Sequence, residues 1–121
     1  MINFLIVFIG GGLGSLSRYG LTKFATSYFA SSQVYCTFLS NFLATFLLGL
    51  FLFVLPDKIL FNSPWKLFIV TGFCGGFSTF STFSFETFNL LKSGQTILAL
   101  ANILFSIFSC LFVLYILFKN Q

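Results

Sequence analysis

The run Gly72-Phe73-Cys74-Gly75-Gly76-Phe77-Ser78-Thr79-Phe80-Ser81-Thr82-Phe83-Ser84-Phe85-Glu86 is apolar enough to lie in a membrane but poorly suited to cross one as an unbroken helix. Glycine costs roughly 1 kcal/mol per helical position, and serine and threonine compete for backbone hydrogen bonds. Gly75-Gly76 followed by five Ser/Thr in seven residues therefore predicts a break at mid-membrane. Unwound backbone at that depth survives only where protein or a cavity covers it, and its freed carbonyls are good ligands for a hard cation such as sodium. Beyond the break, Phe80 and Phe83 lie three residues apart and share a face of the resumed helix.

The chain around this run is built for lipid. Of its 121 residues, 58% are hydrophobic, 21% aromatic and only 7% charged, and there is no histidine. Its mean hydropathy is +1.04. A soluble domain of this size keeps too much surface in water to hide so much apolar area. A bilayer core about 30 Å thick takes roughly 20 apolar residues per helix, which leaves room for four spans and little else. They are expected at about 3–25, 34–55, 65–91 and 96–118, in a single all-α transmembrane domain covering 1–121. Pro56-Asp57-Lys58 stops the second span, the interfacial pair Trp65-Lys66 opens the third, and Lys119-Asn120-Gln121 closes the fourth.

Met1-Ile2-Asn3-Phe4 lacks a basic segment, and no small-residue cleavage site follows, so the first span reads as a retained helix. Cys36, Cys74 and Cys110 stand alone, with no paired spacing that would make them ligands or nucleophiles, and read as small core residues. The formal net charge of +4 is scattered along the chain and forms no patch for nucleic acid or anionic lipid. An even number of spans puts both termini on one side. That side carries Lys58, Lys66 and Lys119, and the other carries Lys23 and Lys92, with Arg18 just inside the bilayer. So small a bias either leaves the orientation to be fixed by something else or suits a chain that inserts both ways and pairs as an antiparallel dimer.

Polar residues in hydrocarbon usually face a bundle interior, a partner or a water-filled path. In the first span, Gly10, Gly14 and Arg18 fall at i, i+4 and i+8, beside Gly11 and Ser15. Such a face lets another helix approach closely. Arg18 either snorkels to the nearby interface, or caps a neighbouring helix or lines a vestibule that draws in anions. In the second span, Thr37, Asn41, Thr45 and Gly49 make one stripe at four-residue spacing, with Asn41 near its middle. The Asn41 amide can donate to an anion or bond a neighbouring helix. Glu86, one turn past Thr82 and near an interface, is either solvated there or orders the hydroxyls of Ser81 and Thr82. In the fourth span, Asn102, Ser106 and Ser109-Cys110 make a polar line, although single serines often bond back to their own helix.

Aromatic rings have a positive edge that can solvate an anion and a negative face that repels it. Among 21 phenylalanines the ordinary fate is contact with lipid, but Phe80 and Phe83 stand in the broken, hydroxyl-rich segment. Many hydroxyl and amide donors, ring edges, one membrane carboxylate and no histidine suit an anion being passed along; they do not suit proton relays, metal catalysis or nucleophilic chemistry. An anion pore, and no enzyme, is the expected class. A proton-coupled drug exporter of similar size would need a carboxylate at mid-membrane, whereas Glu86 lies towards a helix end. A membrane assembly subunit would need only the glycine faces and would leave the polar stripes without purpose.

With these residues in view, the chain resembles the Fluc/CrcB family of bacterial fluoride channels along essentially its whole length. The resemblance rests most specifically on the 72–86 string, and also on Gly10-Gly11, Gly14 and Arg18-Tyr19 in the first span and Asn41 with Gly49 in the second. It implies a multi-pass protein of the bacterial cell (inner) membrane, acting as an antiparallel dual-topology homodimer with two fluoride pores. A structural sodium ion would lie on the dimer axis, held by the backbone carbonyls of Gly75 and Ser78. By the same resemblance, Asn41 would donate to fluoride and the ring edges of Phe80 and Phe83 would line the pore. Ser81, Thr82 and Glu86 would stand beside it, and Asn102, Ser106 and Cys110 would form a fourth-helix track. The implied activity is passive export of fluoride that entered as HF. Departures are Ser78 where threonine is common, Ala44 where glycine is often found, and Asn102 and Cys110 where hydroxyl residues are usual.

Overall fold

The computed structural model describes residues 1–29, 33–55 and 63–119, all helices and short connections. Pro56, Asp57 and Lys58, the expected stop of the second span, lie outside the described residues, as do Asn120 and Gln121. Helix α1 is Ile2–Phe29 and α2 is Gln33–Val54. A third span, Pro64–Lys92, is built from several pieces: α3 (Pro64–Lys66), a π-helical stretch (Leu67–Cys74), α4 (Gly75–Phe77) and α5 (Phe80–Lys92). Helix α6 is Thr96–Phe118. Among the described residues, four segments are thus long and apolar enough to cross a membrane, and the third is broken.

Local chemistry sets the ends of these pieces. Ser63 accepts a hydrogen bond from the Trp65 N–H, and Pro64, which has no N–H to leave unsatisfied, takes the first helical position. Helix α5 closes with the Gln95 N–H on the Leu90 carbonyl and the Gly94 N–H on the Leu91 carbonyl. Gly94 sits at φ +78°, the left-handed conformation this ending requires and glycine adopts most easily. The chain therefore reverses between α5 and α6 within Ser93–Gln95. Helix α1 continues past Ala25, where the expected span ended; the Thr26 hydroxyl donates to the Thr22 carbonyl, and the rings of Phe24 and Tyr28 stack one turn apart.

Two helix contacts organise the bundle. In one, α1 lies along the π-helical stretch and α4; in the other, α2 packs against α6, with α5 touching both. The first contact is made backbone to backbone. Gly10 of α1 meets Gly72 of the third span and Gly11 meets Gly76, while Gly14 lies against the backbone of Phe73 and Phe77. A Cβ built on Gly10 would collide with the Phe68 carbonyl and lie 3.1 Å from the Gly72 Cα; one on Gly14 would collide with the Phe73 carbonyl. The second contact is ordinary side-chain packing, with Gly49 leaving room for Leu114 and Leu117. Cys36 and Cys74 are buried and Cys110 is half-buried, all with free thiols.

The break sits two residues later than the glycines suggest. Gly75 and Gly76 are helical, and the extended residues are Ser78 (φ −78°, ψ 158°) and Thr79 (φ −152°, ψ 117°). Glycine's helical penalty is offset at Gly76 by the close approach to α1, where a side chain has no space. The chain opens instead where side chains can take over the backbone hydrogen bonds.

The glycine contact generates a test. Gly14→Ala forces a methyl group into the Phe73 carbonyl and lowers stability by roughly 1–3 kcal/mol. Gly12→Ala, with nothing within 4 Å of the added Cβ, leaves it nearly unchanged. Thermal unfolding of both variants in detergent reads the difference, and equal midpoints would refute the close-approach account.

Candidate ion-conducting site at the helix break

Breaking a membrane helix removes the i+4 donors of the carbonyls ahead of the break and the acceptors of the N–H groups behind it. At Ser78–Thr79 side chains from α1, from α2 and from the break itself meet these groups. The Asn41 side chain takes both polar groups of one residue: the Thr79 N–H donates to Asn41 Oδ1 at 2.6 Å, and Asn41 Nδ2 donates to the Thr79 carbonyl at 3.2 Å. A primary amide presents one acceptor and two donors, so this pairing leaves one Nδ2–H uncommitted. Thr79 Oγ1 in turn accepts from the Thr82 N–H at 3.3 Å and caps the start of α5. It also lies 3.1 Å from the Thr82 hydroxyl and 3.3 Å from that of Ser81.

The carbonyls ahead of the break divide into two kinds. Cys74 accepts from the N–H and the hydroxyl of Ser78, at 3.0 and 2.8 Å. Gly76 accepts from Arg18 Nε and Ser15 Oγ, both at 3.4 Å. Arg18 thus reaches the end of the half-helix that α1 packs against, the contact a helix cap would make. The Gly75 carbonyl is different. Its helical donor would be the Thr79 N–H, which points to Asn41 instead. The helical donor of the Ser78 carbonyl would be the Thr82 N–H, which points to Thr79 Oγ1. Gly75 is exposed and Ser78 half-buried in the single chain.

Beyond the break the Phe80 and Phe83 rings pair with centroids 6.0 Å apart and planes tilted by 37°. Phe80 is 78% exposed, the more notable because its neighbours are hydroxyls. Ser81 and Thr82 join the Thr79 hydroxyl, so three hydroxyls gather at the first turn of α5, next to this aromatic pair.

Glu86 departs from both expectations for it. It is only 8% exposed, hence not solvated, and its partner is the Thr37 hydroxyl on α2, 2.8 Å from Oε1. The hydroxyls of Ser81 and Thr82 are ordered by Thr79. Next to Glu86, the buried Thr87 accepts from Asn102 Nδ2 on α6 at 3.0 Å. The fourth-span line is therefore divided. Asn102 and the buried Ser106 face protein, Ser109 bonds back to the Phe105 and Ser106 carbonyls of its own helix, and Cys110 is half-buried. Among the described residues, Glu86 Oε2 and Ser106 Oγ are buried without a hydrogen-bond partner. Unsatisfied oxygens of this kind mark places where water or an ion completes the polar balance.

Residues that sequence reasoning passed over as site residues are Thr79 and Thr87. Thr79 had a readable signal, a threonine directly before a resumed helix, the position where a side-chain cap is favoured. Thr87 had none, because its partner lies on the helix opposite, and Ser15, placed only on the small-residue face of α1, bonds the Gly76 carbonyl. Thr37 lay in the α2 stripe, but nothing in the sequence pointed it at Glu86. Thr37→Val removes the donor to a buried carboxyl oxygen and costs about 1–3 kcal/mol, whereas Thr37→Ser retains it. Unfolding midpoints of the two variants decide this, and an unchanged valine variant would mean that the bond contributes nothing.

Comparison with known proteins shows the family. Residues 5–117 match the profile of the family described as CrcB-like protein, Camphor Resistance (CrcB). The chain is 42% identical over 111 residues to a protein of Pyrococcus horikoshii named fluoride-specific ion channel FluC, covering 92% of this chain and 89% of the relative. Proteins of the same name from Leptospira interrogans and Pyrococcus abyssi are 42% identical over 106 residues and 44% identical over 99 residues. These matches cover 87% and 82% of this chain and 83% and 79% of the respective relatives. With a family match that spans all four helices and relatives alike over nearly their whole length, the chain belongs to the CrcB family of membrane proteins.

Proposed function

We propose that this protein is a passive, fluoride-selective channel that exports cytoplasmic fluoride and so confers fluoride resistance, and that it is not an enzyme. The observation that carries this reading is the broken third span, where hydroxyls, an amide with an uncommitted N–H and a phenylalanine pair with Phe80 exposed stand together in an otherwise apolar chain. Fluoride is a compact, strongly hydrated anion. A path for it must replace water with hydrogen-bond donors and positive ring edges, without a base that would hold a proton beside it. On this reading Asn41 donates its remaining Nδ2–H, Phe80 and Phe83 offer ring edges, and Ser81, Thr82 and Ser106 continue the donor path. Arg18 and Glu86 fix the walls, with Asn102 and Cys110 further along α6. Fluoride enters the cell as HF, ionises inside, and leaves down its gradient.

The same reading includes a second copy of the chain, oppositely oriented, and a structural sodium ion. Lipid cannot satisfy a peptide carbonyl, so the exposed break must be covered. The donors at the break fit a hard cation, because the Gly75 and Ser78 carbonyls have lost their helical partners. Two carbonyls are too few for such an ion, and a second antiparallel copy supplies the other pair. Bound there, sodium supplies a fixed positive charge that ties the two breaks together.

Fluoride efflux from liposomes containing the purified protein, followed with a fluoride electrode, tests the proposal. Efflux is expected to exceed that of chloride by orders of magnitude, and Phe80→Ile, which replaces a ring edge with an aliphatic surface, is expected to reduce it at least tenfold. No efflux from a folded, assembled protein would count against the channel; unimpaired Phe80→Ile would remove the aromatic pair from the path.

A further inference from the structure

We infer that Asn41 is a positioning residue for the cation site as well as a group on the anion path, and that it acts on both through the single residue Thr79. This rests on the sodium reading given above. The Thr79 N–H has two competing acceptors. One is the Gly75 carbonyl, four residues earlier, which it would meet if the helix ran on. The other is Asn41 Oδ1, which it meets at 2.6 Å. Only the second choice leaves the Gly75 carbonyl free to bind a cation. Asn41 Nδ2, on the Thr79 carbonyl at 3.2 Å, fixes the orientation of the same residue from its other end.

The competition is real because the chain ahead of Thr79 is still helical. Gly75–Phe77 has helical geometry, and the Ser78 N–H still reaches the Cys74 carbonyl at 3.0 Å. The helix is thus one hydrogen bond short of capturing Thr79, and the Asn41 oxygen is what occupies that bond. The Ser78 carbonyl is kept free differently, since its helical donor, the Thr82 N–H, is held by Thr79 Oγ1. One ligand carbonyl therefore depends on a side chain from α2, and the other on a hydroxyl within the third span. The two need not fail together.

Phe80 follows Thr79 directly, so the residue that Asn41 clamps also carries the first ring of the aromatic pair. A shift of Thr79 towards Gly75 would withdraw a cation ligand and turn the ring in the same motion.

The experiment separates acceptor from donor. The Asn41→Asp variant keeps an oxygen for the Thr79 N–H and loses both N–H donors, while Asn41→Ala loses both arms. Thermal unfolding of the assembled protein is measured in sodium chloride and in N-methyl-D-glucamine chloride at equal ionic strength. For the unaltered protein, sodium is expected to raise the midpoint by roughly 5 °C. Asn41→Asp is expected to keep that sodium-dependent shift while losing fluoride efflux. Asn41→Ala is expected to lose the shift, beyond any change in its midpoint without sodium. A full sodium shift in Asn41→Ala overturns the inference, and so does its loss in Asn41→Asp, which also serves if the alanine variant does not fold. If the unaltered protein shows no sodium shift, the sodium reading itself fails and the inference falls with it, an outcome distinct from the variant results.

Discussion

A peptide group without a hydrogen-bond partner costs several kcal/mol in hydrocarbon, and opening a membrane helix creates several at once. The side-chain amide of Asn41 bears most directly on that cost, because it replaces for Thr79 both bonds that a continuous helix would have made. Around it, Thr79 Oγ1 caps the resumed helix, and Arg18 and Ser15 take the Gly76 carbonyl. Each removes a penalty. Among the carbonyls left without their helical donors are those of Gly75 and Ser78.

The wider architecture follows from holding such a break steady. Its near side is fixed by glycine contact with α1, where backbones touch and side chains have no freedom to rearrange. Its far side is fixed by polar contacts: Thr37 with Glu86 from α2, and Asn102 with Thr87 from α6. One half of the third span is thus held by shape and the other by hydrogen bonds. The Asn41 amide, reaching across from α2, joins them at the point of interruption.

Much of this was legible in the sequence. The four apolar stretches, the interruption in the third and the close-packing glycine face follow from composition and helical spacing, and Asn41 and Arg18 stood out as polar groups within them. What stayed hidden depends on which helix lies opposite which. The break falls at Ser78–Thr79 and not at Gly75-Gly76, because Gly76 meets a neighbouring backbone while Thr79 meets side chains able to replace its bonds. Glu86 looks interfacial by its place in the sequence and is buried, because the Thr37 hydroxyl reaches it from α2. The stripe on α2 shares one face, yet Asn41 bonds the break and Thr45 its own helix at the Asn41 carbonyl, a division that periodicity cannot draw.

The facing glycine pairs also bear on how the chain is made. Helix α1 is synthesised first, but the surface that fits it belongs to residues 68–77, and Ser15 bonds the Gly76 carbonyl 61 positions away in sequence. Until the third span is made, α2 is the neighbour within the chain that α1 can contact, and that contact is the smaller of the two. The docking of α1 against the third span cannot precede the synthesis of that span.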